Sequence, residues 1–77
     1  MSRPRKRSLT LAGHRTSVSL EDDFWQAFRE IAEEWDLPVN VLATQIDRER
    51  GLETGLASAI RLFVLREYRN RLRLLQG

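Results

Sequence analysis

The residues with the most pointed chemistry in this chain are Arg15, Ser17 and Ser19. They alternate with Thr16, Val18 and Leu20, and alternation sends the two sets to opposite faces of a strand. One face is then largely apolar, while the other carries a guanidinium beside two short hydroxyls. A guanidinium donates two parallel hydrogen bonds to paired acceptors, and serine donates or accepts without holding a neighbour at a distance. Such a face suits recognition of a flat polar edge. Groups that break bonds are not in evidence. The chain has no cysteine and a single histidine, His14, which alone makes no conventional transition-metal site and reads as an exposed turn residue. There is no glycine-rich phosphate loop and no HExxH-like spacing, and Asp22 and Asp23 are adjacent instead of converging on a substrate. The expectation is a binding protein with no enzymatic activity, no metal and no cofactor.

A strand over about residues 15–20 needs elements to hold it. Glu21-Asp22-Asp23 ends it with three acids, which suit the first turn of a helix because the macrodipole favours negative charge there. Phe24, Phe28, Ile31 and Trp35, with Ala27 and Ala32 beside them, recur at helical spacing and predict a helix over about 22–35. Trp25 lies off that stripe, with a partner chain and a third helix both open as its neighbour. Pro38 suits the start of a second helix, about 38–48, whose inner positions are Val39, Leu42 and Ile46, with Val41 and Ala43 nearby. The glycines of 48–55 mark a connection, with Thr54 or Gly55 as the cap of a third helix over about 56–73 built on Leu56, Ile60, Phe63, Val64, Tyr68 and Leu72. Ahead of all this, residues 1–7 carry Pro4, four cations and no large apolar side chain after Met1, and read as a flexible basic arm; residues 8–77 form the single domain. Ser8-Leu9-Thr10-Leu11 also alternates, and Gly13 suits a turn, so one kinked strand and two short ones both fit.

Size and charge narrow the partners. A chain of 77 residues without cysteine has no disulfide to staple a small core, and association with a second copy is the usual remedy. The net charge is only +2, yet five cations and no acid lie before Glu21, seven acids lie between Glu21 and Asp36, and Arg61, Arg66, Arg69, Arg71 and Arg73 face only Glu67 after residue 55. No apolar run approaches the roughly 20 residues that span a bilayer, and the basic N-terminus lacks the apolar stretch of a signal peptide. The expected setting is therefore cytoplasmic, without a membrane partner.

An isolated strand leaves its backbone unpaired, and a second copy offers the missing edge. Two such strands, antiparallel, would bury Thr16, Val18 and Leu20 over the helices and expose Arg15, Ser17 and Ser19 on a ribbon that fits a DNA major groove about 12 Å wide. The segment Arg15-Thr16-Ser17-Val18-Ser19-Leu20, followed by an amphipathic helix, a turn at Leu37 and a second helix, resembles the ribbon-helix-helix repressors of the Arc and MetJ type, which the β-ribbon readers of DNA include. The longer stretch from Lys6 to Glu21, with Ser58 to Leu65, is similar to a bacterial subgroup of small ribbon-helix-helix proteins. The resemblance implies a mainly α fold with one short β-strand, an intertwined homodimer and a two-stranded antiparallel ribbon. The third helix is an addition to it.

That resemblance implies a sequence-specific, nucleoid-associated protein of double-stranded DNA, a transcriptional repressor or autoregulator. Arg15, Ser17 and Ser19 would read bases, Arg15 foremost, through guanine O6 and N7. Phosphates would be met by Arg3, Arg5, Lys6 and Arg7 of the arm, in a salt-dependent way, and by the start of the second helix at Val39 and Asn40. Thr16, Val18, Leu20, Phe24, Phe28, Ile31, Leu42 and Ile46 would form the dimer core. Proline at position 38, where family members commonly have a small hydroxyl or another cap residue, removes one amide from the phosphate site. Two other readings use the helix at 56–73: an interaction module such as an antitoxin, or a basic amphipathic membrane-surface protein. Higher assembly on DNA is a further expectation.

Overall fold

The computed structural model describes residues 3–76 and contains two strands followed by three helices: β1 (Arg5–Leu11), β2 (His14–Leu20), α1 (Asp22–Glu34), α2 (Val39–Glu49) and α3 (Leu56–Gln76). The strands form one antiparallel hairpin in which Arg5 lies opposite Leu20, Arg7 opposite Val18, Ser8 opposite Ser17, Thr10 opposite Arg15 and Leu11 opposite His14. Ala12 and Gly13 make the two-residue connection with φ of 49° and 84°. Two positive φ angles define the tight turn whose twist matches that of the flanking strands, and Gly13 accepts it without strain.

Two expectations are corrected here. One short β-strand was expected; the structure has two, with β1 paired to one edge of β2 within the same chain and the other edge of β2 without a strand among the described residues. The basic segment 1–7 was expected to be an arm, but Arg5, Lys6 and Arg7 are the first residues of β1. Strand pairing is satisfied by backbone groups, so a segment poor in apolar side chains still orders once a partner edge lies two residues of turn away. Met1 and Ser2 of that arm lie outside the described residues.

Helix boundaries agree with the periodicity and show what ends each element. α1 stops in a left-handed residue, Asp36 (φ 56°), with Asp36 N–H donating to Glu33 O at 3.0 Å and Leu37 N–H to Ala32 O at 2.9 Å. This paired closure satisfies carbonyls that the helix end leaves free. Pro38 stands one place before α2, and its carbonyl accepts from Val41 and Leu42 at 3.0 and 3.2 Å. Gly55, whose carbonyl accepts from Ala59 at 3.0 Å, opens α3, which runs three residues beyond the expected end to Gln76.

The core is one cluster: Leu9 of β1, Val18 and Leu20 of β2, Phe28, Ile31 and Ala32 of α1, Leu42, Ala43 and Ile46 of α2, and Ile60 and Val64 of α3. Phe63 packs edge-on against Phe28, ring centroids 6.2 Å apart. The first half of α3 thus completes the core of its own chain. Thr16, expected inside, is exposed although it lies opposite the buried Leu9.

Candidate nucleic-acid interface

Residues that face each other across an antiparallel pair share a side of the sheet, so the register divides the hairpin cleanly. Arg5, Arg7, Leu9, Leu11, Thr16, Val18 and Leu20 lie on the helix side. Lys6, Ser8, Thr10, Arg15, Ser17 and Ser19 lie on the outer side, and all six are exposed. The outer face therefore holds two cations, four hydroxyls and no acid. Arg15, Ser17 and Ser19 were expected there; Ser8 and Thr10 were not assigned. The signal was present in the alternation of Ser8-Leu9-Thr10-Leu11, but its phase relative to β2 depends on the length of the turn.

The backbone of the same strands also has an outward edge. Thr10 N–H donates to Asn40 Oδ1 at 3.0 Å, which ties the edge of β1 to the first turn of α2. On the far edge, Ser19 O accepts from Arg61 at 3.3 Å. Because backbone direction alternates with period two, the N–H and C=O groups of Arg15 and Ser17 point to that same far edge, where no third strand lies among the described residues. Asn40 thereby sits beside the hairpin tip, and a hollow of about 360 Å³ opens between them, lined by Thr10, Ala12, Asn40, Val41, Thr44, Gln45 and Arg48. Val39 and Asn40 are the first two residues of α2, whose amides have no acceptor within the helix. Amide donors without an acceptor in the helix thus stand next to Arg15's end of the hairpin, with Arg48 one further cation that sequence reading passed over.

The cations ahead of β2 do not act as a group. Arg3 and Lys6 are exposed. Arg7 turns inward: its guanidinium donates to Asp22 Oδ1 and, at 3.3 Å, to Leu20 O, and lies 5.7 Å from the centre of the Trp25 ring. Its Nε is buried without a hydrogen-bond partner among the described residues. Arg5 remains open to solvent, with Nε 3.7 Å from Asp22. Arg7 therefore fastens the hairpin to α1, and Trp25, whose neighbour was left open, packs against this cation and against Phe28 at 6.2 Å.

A second arginine clamps the other side of the same junction. Arg61 of α3 reaches Glu21 at 2.8 Å and lies 5.9 Å from the centre of the Phe24 ring. The Glu21 carboxyl is held below its usual range by its own backbone N–H and then by Arg61. That of Asp22 is held down chiefly by the Arg7 hydrogen bond. Arg71 is likewise engaged, by Glu34 first and by Glu67, which raises its already high pKa. Of the residues expected in a dimer core, Val18, Leu20, Phe28, Ile31, Leu42 and Ile46 are buried within this protomer and Phe24 is half-buried. Among the described residues no group of histidine, cysteine, aspartate or glutamate side chains is arranged to hold a metal ion, and no helix is long and apolar enough to cross a membrane.

A two-stranded antiparallel sheet followed by three helices, mostly helical overall, is consistent with the ribbon-helix-helix class. The chain belongs to the ribbon-helix-helix domain family, whose pattern matches residues 4–68 and so takes in both strands, α1, α2 and the core-forming half of α3. Members of this family are generally DNA-binding transcription regulators, typically without enzymatic activity, and generally bind DNA as dimers. No curated protein and no solved structure matches the chain.

Proposed function

We propose that this protein is a sequence-specific double-stranded DNA-binding repressor or autoregulator, acting as a homodimer in the nucleoid of a bacterial cytoplasm, without catalytic activity. The observation that carries the reading is the outer face of the hairpin: Lys6, Ser8, Thr10, Arg15, Ser17 and Ser19, all exposed and with no acid among them. The backbones of two paired strands lie roughly 4.8 Å apart, narrow enough for a groove of about 12 Å. Arg15 reads guanine O6 and N7, while Ser17 and Ser19 adjust to neighbouring base edges. Lys6, Arg3 and the exposed Arg5 meet phosphates, as do Asn40 and the free amides at Val39 and Asn40. Arg7 is withdrawn from this role, because its guanidinium is committed to Asp22.

The open edge of β2, at Arg15 and Ser17, is where the β2 strand of a second copy pairs. The dimer then presents Arg15, Ser17 and Ser19 twice, at the centre of the sheet, with the two β1 strands on its flanks toward the phosphate walls.

Binding of labelled duplexes, followed by fluorescence anisotropy across a salt series, tests this. Genomic fragments should compete unequally, affinity should fall steeply with salt, and Arg15→Ala should flatten the preference among fragments while leaving the salt slope largely intact. Equal binding of all fragments by the wild-type protein would overturn the sequence-specific assignment, and a monomer by light scattering in the bound state would overturn the dimer.

A further inference from the structure

α3 is longer than the body it packs on. Its inward stripe, Ile60 and Val64, is buried, but Leu62, Leu65 and Leu72 are 42, 50 and 56% exposed. These three recur at spacings of three and seven, which places them on one seam of a helix, the face opposite Ile60. Arg66, Arg69 and Arg73 lie on the same arc and are exposed. None of them has an ion pair among the described residues, whereas Arg61 and Arg71, elsewhere on the circumference, are both paired. The one acid of α3, Glu67, faces the core side and is engaged by Arg71. The outer face of α3 is therefore a leucine seam interleaved with unpaired arginines and free of acids.

We infer that this face docks an acidic amphipathic helix of another protein. Charge and apolar cover together decide among the occupants. A second copy could offer its α3, which brings Arg66, Arg69 and Arg73 against the same three residues with no carboxylate to offset them, or its acidic α1, whose exposed side chains, Asp23, Gln26, Arg29, Glu30, Glu33 and Glu34, include no apolar one to cover the leucines. A lipid surface needs a continuous apolar arc with cations at its margins, but here Arg69 stands on the arc itself, between Leu65 and Leu62. A facing helix with leucines on its seam and glutamates beside them meets both requirements. It covers the leucines and gives each guanidinium a carboxylate. The contact leaves the outer face of the hairpin untouched, so it does not depend on the DNA-binding assignment.

The probe is a synthetic helical peptide of about three heptads, with leucine at both seam positions and glutamate at the flanking ones, titrated against the full-length protein by anisotropy. The expected result is saturable binding that weakens with salt, is at least tenfold weaker for a Leu65→Ser, Leu72→Ser variant, and persists in the presence of saturating duplex DNA. An Arg69→Glu, Arg73→Glu variant with an unchanged thermal melt should lose the glutamate peptide and gain its lysine counterpart. Failure to bind the glutamate peptide, or binding indifferent to the charge reversal, overturns the inference. So does a fall in molar mass of the wild-type assembly on the two leucine substitutions, which would assign the seam to self-pairing. Binding to vesicles of anionic lipid but not to the peptide would also overturn it.

Discussion

Arg7 and Arg15 stand on the same hairpin, one per strand, and do opposite things. Arg7 faces the helices opposite Val18; Arg15 faces outward opposite Thr10. The difference is one step of register parity. Arg7 lays its guanidinium over the Trp25 ring and gives its charge to Asp22, so it acts as a covering residue with a fixed anchor. Arg15 keeps its donors in water and free for a partner. A basic residue near the start of such a hairpin is therefore not automatically available to a partner, and the geometry that separates the two cases is the pairing of the strands.

The contrast can be broken most severely from below. Leu20→Ala removes a fully buried side chain and should lower unfolding free energy by about 3 kcal/mol, read from the urea midpoint. If DNA binding then falls only in proportion to the unfolded fraction, the inner face serves the outer one as a support and nothing more. Arg15→Ala is the counterpart. Discrimination between the preferred fragment and bulk DNA should drop by about 1–3 kcal/mol, with the urea midpoint nearly unmoved.

Arg7→Ala should reverse that signature, costing about 1 kcal/mol of stability at a partly exposed ion pair while changing DNA affinity less than twofold. The Asp22 and Glu21 carboxyls give the same junction a pH dependence. Both are held below their ordinary range in the folded chain, so their contribution is complete above the ordinary carboxylate pKa and is lost as pH falls through the lowered value. Thermal melts should show this acid loss in the wild type and a smaller one in Arg7→Ala. The smallest effect is expected at the turn. Ala12 holds φ at 49°, and Ala12→Gly should change stability by no more than about 1 kcal/mol, with relief of strain set against added freedom of the unfolded chain.

Much of the fold is legible in the sequence. The three helices follow from apolar spacing, and the helix-breaking roles of Asp36-Leu37-Pro38 and of the glycines at 51 and 55 are local. The outward set Arg15, Ser17 and Ser19 follows from alternation within β2 alone. Less legible were residues whose role depends on a distant neighbour: Arg7, committed by Asp22 fifteen places on; Asn40, committed by the Thr10 amide; Arg61, committed by Glu21. Thr16 shows the same limit from the other side, since alternation assigns it to the inner face but says nothing of how far the helices extend beneath it.

By itself, the sequence determined the order of β2 and the three helices, the polar face of β2 and the basic, acidic and basic segments of the chain, because periodicity and composition are properties of contiguous residues. Only the tertiary structure decided that β2 finds its first partner in its own chain, that Ser8 and Thr10 join its outer face, and that Arg7 is engaged by Asp22 on the helix side. Those outcomes turn on a two-residue turn that sets the register and on an acid that waits at the start of the next helix. Both are relations between segments, which no single segment encodes.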